Sequence, residues 1–109
     1  MSEEKIPVTR GSGNVFADLD LPDADLRLAK ARLVAALEEV AEKENLNQSE
    51  ISRRCGATQP RVSRMLSGKG RGFTLDKIVT TLNMLGCDVS IKVSKAKPRT
   101  TGRLRIKTS

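Results

Sequence analysis

Apolar side chains recur at steps of three and four through the first third of the chain, at Leu26, Ala29, Leu33, Leu37, Val40 and Ala41. Lys30, Glu38, Glu39, Glu42 and Lys43 fall between them. That spacing lays one apolar stripe along an α-helix and predicts a helix from Pro22 to about Glu44. Pro22 suits a first helical turn, and Asp23 and Asp25 suit the positive end of the helix dipole. Asn47-Gln48-Ser49-Glu50 has the form of a capping box, an N-cap side chain followed three residues later by glutamate, and opens a short helix that Gly56 closes. Thr58-Gln59-Pro60 opens a second short helix, with the proline in the first turn where its missing amide proton does little harm, and Ser67-Gly68 ends it. The loop Gly68-Lys69-Gly70-Arg71-Gly72 leads to Thr74, the N-cap of a helix carrying Leu75, Ile78, Val79, Leu82 and Leu85 and closed by Gly86.

Beyond Gly86 the period changes. Cys87, Val89, Ile91 and Val93 alternate with Asp88, Ser90 and Lys92, the pattern of a half-buried strand. A lone strand leaves backbone donors and acceptors without partners, so it is expected to pair with its copy in a second chain or with a strand of another protein. Val89, Ile91 and Val93 are therefore read as a dimerisation strand. Residues 1–21 show no sustained period and read as a flexible arm with an apolar cluster at Val15, Phe16, Leu19 and Leu21. Residues 95–109 read as a basic tail, disordered on its own. The expected organisation is an arm (1–21), one mainly α domain (22–94) of four to five helices with one C-terminal strand, and a tail (95–109).

Composition agrees with a single small domain. The 109 residues include only two aromatics, Phe16 and Phe73, so the core must be built from aliphatic side chains, as helix packing permits. The net charge of +7 is unevenly placed: residues 1–25 hold two basic and six acidic side chains, whereas residues 95–109 hold six basic and no acidic ones. Between positions 47 and 72, Arg53, Arg54, Arg61, Arg64, Lys69 and Arg71 face Glu50 alone, a concentration that suggests a polyanionic partner. The chain has no histidine, and its two cysteines, Cys55 and Cys87, each occupy an apolar position of a periodic segment. No metal site, cofactor or catalytic role is expected, and both thiols read as small buried hydrophobes. With no apolar run of about 20 residues and no signal-like start, no membrane association is expected and the location reads as cytoplasmic.

The stretch from Leu46 to Lys69 resembles the helix-turn-helix of the Cro and lambda-repressor-like (XRE) family. Ile51 stands at the first conserved-type leucine position of that pattern, Ser52 at the small residue where the helices cross, and Cys55 at the second leucine position. Gly56 stands at the turn, Thr58-Gln59 at the start of the recognition helix, and Val62 at its apolar anchor. In this geometry residues near the N-terminus of the second helix reach base edges in the major groove. Gln59 and Arg61 are the expected base readers, pairing with adenine and guanine respectively, with Ser63 as a weaker one. The resemblance implies a phosphate contact from Gln48, where a helix N-terminus already favours anions, and Arg64, Lys69 and Arg71 add further phosphate contacts.

A wider resemblance runs over residues 12–93, including Ser12-Gly13-Asn14-Val15-Phe16-Ala17-Asp18-Leu19, Gly72-Phe73-Thr74-Leu75 and Leu85-Gly86-Cys87-Asp88-Val89. It is similar to the HigA-type subgroup, which implies an antitoxin that neutralises a RelE/HigB-like ribonuclease toxin and represses its own operon as a homodimer on a palindromic operator. Val15, Phe16 and Leu19 in the acidic arm are then the expected toxin contacts. The alternative is a free-standing repressor of the same family without a toxin. An enzyme lacks support from any catalytic grouping, and a single-stranded RNA binder lacks the aromatic side chains for stacking.

Overall fold

The computed structural model describes residues 23–108, in which four helices follow one another: α1 (Asp23–Lys43), α2 (Gln48–Cys55), α3 (Gln59–Ser67) and α4 (Leu75–Met84). Local chemistry sets most of their ends. Each of the last three helices starts at a side-chain oxygen that accepts an amide three residues on: Asn47 from Glu50 at 2.9 Å, Thr58 from Arg61 and Thr74 from Lys77, both at 3.4 Å. These bonds satisfy amides that the helix itself leaves without partners, each such cap contributing about 1 kcal/mol. Only half of the expected capping box forms at α2, because the Glu50 carboxylate turns to Arg53 one turn along. Gly56 closes α2 at φ +66°, a left-handed conformation that disfavours any side chain, and the Ser52 hydroxyl donates to the Ala57 carbonyl across the turn.

The apolar stripes converge on one core. Leu33, Val34 and Leu37 of α1 meet Ile51 of α2, Val62 and Met65 of α3, and Ile78 and Leu82 of α4, with Phe73 and Leu85 closing the two ends of α4. Val34, Leu37, Ile51 and Ile78 are almost wholly excluded from solvent, and burying each such side chain contributes about 1.5–3 kcal/mol. Helices α2 and α3 pack against each other, and α1 spans the bundle to touch α3 and α4. Cys55 and Cys87 are free thiols, both half-buried at the edge of the core. The Cys55 Sγ lies 3.9 Å from the Thr81 carbonyl, and burial pushes its thiol up from the usual value, so it stays protonated as an apolar filler does.

The loop between α3 and α4 is pinned. Gly70 has φ +83°, and a Cβ placed there would stand 2.9 Å from Ile78 Cδ1 and 3.1 Å from Lys30 Cβ, so only glycine lets this backbone lie against α1 and α4. Its amide bonds the Met65 carbonyl at 2.9 Å, and its carbonyl accepts from Phe73 at 3.0 Å.

The expected strand is not formed. Residues 87–96 are neither helix nor strand, and among the described residues no β-ladder exists. The alternation holds only at first: Cys87 and Val89 pack at the core edge, whereas Ile91 and Val93 are 82% and 80% exposed. A strand exists only through hydrogen bonds to a neighbouring strand, and a single chain of helices offers none. The fold is thus four helices without the C-terminal strand.

The basic tail carries no helix or strand, but it does not simply leave the domain. A turn at residues 97–100, with Arg99 at φ +64°, reverses the chain and brings residues 103–106 onto the outer side of α1. There Arg103 grips Asp25 with Nε at 2.6 Å and Nη2 at 2.7 Å, and Ile106 packs at the margin of the core.

Candidate nucleic-acid interface

Helix α3 buries Val62 and Met65 and half-buries Leu66, which commits one side to the core. At 100° per residue the opposite side holds Pro60, Arg64 and Ser67, with Ser63 on one flank and Gln59, in the first turn, nearer the buried edge. All are exposed except the half-buried Ser63. The result is a short, outward-facing helix with an amide and a guanidinium on its surface and no carboxylate in its sequence. Such a helix fits the major groove, where amides and guanidinium groups match base edges.

Arg61 sits at the flank of that face. Its guanidinium lies 5.3 Å from the centre of the Phe73 ring, a cation–π arrangement that holds the side chain against the start of α4. A cleft of about 310 Å³ opens beside it between α2, α3 and α4, lined by Cys55, Thr58, Met65, Phe73 and Met84 among others. Phe73 was not among the residues expected at the site. The one signal for it is that it is the sole aromatic residue after Phe16, placed directly before the N-cap of α4.

The cations divide into two groups. Arg53 pairs with Glu50, and Arg54 reaches Glu44 at 3.5 Å, so both are engaged within the chain. The Arg53 guanidinium beside Glu50 holds that carboxyl below its ordinary value. Arg64 and Arg71 are exposed and make no ion pair among the described residues, and Lys69 is only loosely held, 4.0 Å from Glu38. These three follow one another along the end of α3 and its pinned loop, with Lys69 itself in a left-handed conformation at φ +54°. Exposed cations that are unpaired or only loosely paired, beside an outward helix, are what contact with phosphates requires.

Gln48 is half-buried in the first turn of α2, which packs against α3. Val89 is half-buried, while Ile91 and Val93 stand in solvent. Val15, Phe16 and Leu19 lie outside the described residues. Among the described residues no group of histidine, cysteine, aspartate or glutamate side chains could hold a metal ion, and no helix is long and apolar enough to cross a membrane.

Comparison with known proteins follows the same lines. A helix-turn-helix domain family matches residues 15–94. Among solved structures, a chain described as an XRE family transcriptional regulator is 39% identical, with a TM-score of 0.67 over 81% of this chain and 98% of that one. No curated protein matches the sequence.

Proposed function

The chain belongs to the helix-turn-helix domain family, in its XRE branch, and from that membership we propose that it binds duplex DNA sequence-specifically and regulates transcription. The observation that carries this reading is the outward face of α3, free of acidic groups and continued by the unpaired cations Arg64 and Arg71. Gln59 and Arg61 read bases, with Ser63 in support. Gln48, Arg64, Lys69 and Arg71 hold phosphates. The family is a DNA-binding class without catalytic activity, and the chain is not an enzyme. Selection of tight-binding duplexes from a random pool, followed by titration at several salt concentrations, tests the reading. Enrichment of one motif supports it, and equal binding to every duplex refutes sequence-specific recognition.

The protein acts as a homodimer. Support comes from the exposed apolar pair Ile91 and Val93, which continue the alternation begun at Cys87 and Val89 and would gain cross-strand apolar neighbours if two such segments paired edge to edge. A dimer of this kind fits a palindromic operator with half-sites one helical turn, ~34–36 Å, apart.

The physiological role is that of an antitoxin which neutralises a RelE/HigB-like ribonuclease and represses its own operon. Its support is the HigA-type resemblance over residues 12–93 and the acidic character of residues 1–25, which complements a basic ribonuclease through Val15, Phe16 and Leu19 and their acidic neighbours. Purification after co-expression with adjacent genes decides between this role and a free-standing repressor. A stoichiometric second chain that arrests growth when expressed alone establishes the antitoxin, and a clean homodimer establishes the repressor.

A further inference from the structure

The docked tail adds no helix or strand to the bundle, yet it is held by specific chemistry. Asp25 is nine-tenths buried and receives two donors from the tail, Nε and Nη2 of Arg103, with the Leu104 amide close by. About two turns further along α1, Arg32 reaches the Ile106 carbonyl at 3.5 Å, while Ile106, Ala35 and Ala36 line one shallow cleft. The contact is therefore an extended segment laid along a helix, anchored by a bidentate pair at one end and an aliphatic side chain at the other.

Two observations bear on how this seat could be vacated. First, the tail occupies the side of α1 that carries Asp25, Arg32 and Ala36, whereas the loop bearing Lys69 and Arg71 rests against Lys30, Val34 and Glu38. At 100° per residue these sets lie on roughly opposite sides of the helix, so closure carries the tail's cations away from the DNA-facing loop. Second, the connection is long and held by little. Residues 94–102, beyond the proposed dimer segment, are exposed throughout, a span that reaches about 30 Å when extended, and their reversal includes a non-glycine residue, Arg99, in the left-handed region.

We propose that the C-terminal segment is a strap with two exclusive seats, closed on α1 through Arg103 and Asp25, and open on the phosphates of duplex DNA. The proposal rests on the DNA-binding reading above. One guanidinium cannot bind the Asp25 carboxylate and a phosphate with the same donors. Closure withholds Arg103, Arg105 and Lys107 from DNA, and DNA binding draws the strap open. The strap makes affinity depend on an intramolecular contact far from the recognition helix, which a partner at α1 can tighten or release.

The test uses the full chain and a duplex containing its selected motif. Asp25→Asn keeps the shape of the seat but removes its charge. It should tighten binding by about threefold or more at low salt, because no carboxylate pair has to break before the strap reaches phosphate. In an Arg103→Ala background the same change should do markedly less, because Asp25 acts through that guanidinium. Arg103→Ala leaves α1 untouched and guards against a folding defect at Asp25. In the wild-type chain the Leu104 amide should exchange slowly without DNA and rapidly when DNA is saturating. Unchanged affinity in Asp25→Asn, or Leu104 still protected on DNA, overturns the strap while leaving DNA binding intact. A wild-type chain that binds no duplex overturns the DNA reading and the open seat together.

Discussion

Arg61 rests with its guanidinium 5.3 Å from the centre of the Phe73 ring, joining the first turn of α3 to the residue that precedes the N-cap of α4. An arginine held by an aromatic face loses less side-chain entropy when it meets a base than one free in water, and its planar group remains available at its edge. The pair thus links α3, the helix proposed to read bases, to the core. Phe73→Leu keeps the burial and removes the ring face. It should leave folding nearly unchanged, within about 1.5 kcal/mol by melting, while weakening specific more than non-specific DNA binding.

Removing Arg61 and removing Lys69 should differ in kind. Arg61→Ala should relax preference at one base pair in each half-site, by about 1–3 kcal/mol of discrimination, whereas Lys69→Ala should weaken binding to all duplexes alike and lower the salt slope by about one. Competition binding against a panel of single-base variants reads both. Intact base preference in Arg61→Ala would show that this arginine is not a reader.

Two glycines with similar backbones should respond differently to alanine. Gly56 and Gly70 are both left-handed, at φ +66° and +83°, but a Cβ at Gly56 meets open space and one at Gly70 meets Ile78 and Lys30. Gly56→Ala should cost about 1–2 kcal/mol from conformation alone. Gly70→Ala adds a clash with a packed core and should cost about 2–4 kcal/mol. Denaturant melts of the two variants give the comparison, and equal losses would mean that the loop gives way at Gly70.

Proline at Val89 or Ile91 should abolish the dimer. It removes an amide that an inter-chain ladder needs, at positions that lie outside all four helices and so leave the bundle standing. Sedimentation should then give the mass of one chain. An unchanged dimer mass would rule out pairing through this segment.

Acid should release the tail. The Arg103 guanidinium, with the Leu104 amide and Arg105 nearby, holds the Asp25 carboxyl below its ordinary value of 3.8. A carboxyl held low in the folded chain stabilises it above the ordinary value and ceases to do so as pH falls through the lowered one. Protection of the Leu104 amide, corrected for intrinsic exchange, should therefore hold steady from neutral pH down to the ordinary value and disappear only below it. Glu50 and Asp76 are also held low, by Arg53 and by the Thr74 hydroxyl respectively, so global stability should decline in the same acid range.

Much of this architecture could be read from residues close in sequence. Asn47, Thr58 and Thr74 each mark a helix start because the bond that caps it is made three residues away, and the outward positions of α3 follow from the burial of Val62 and Met65. Contacts between distant residues were not legible. The Asp25–Arg103 pair joins residues 78 apart, and a run of lysines and arginines gives no hint of which one has a carboxylate to meet. Arg61 over Phe73 was hidden for the same reason. The alternation at residues 87–93 was legible as a pattern, but a strand also needs a neighbour, which the pattern does not specify.

The separation of Asp25 from Arg103 also sets an order of events in folding. Helices α2 and α3 meet across a three-residue turn, and the bundle draws on residues 23–85 alone apart from the marginal packing at its edges. Closing a loop of 78 residues costs more chain entropy than any of those contacts, and one ion pair with one aliphatic anchor returns little for it. The tail must dock last, onto helices already assembled. Every newly synthesised molecule therefore passes through a period in which α3 is in place on the assembled bundle and the strap has never yet been shut.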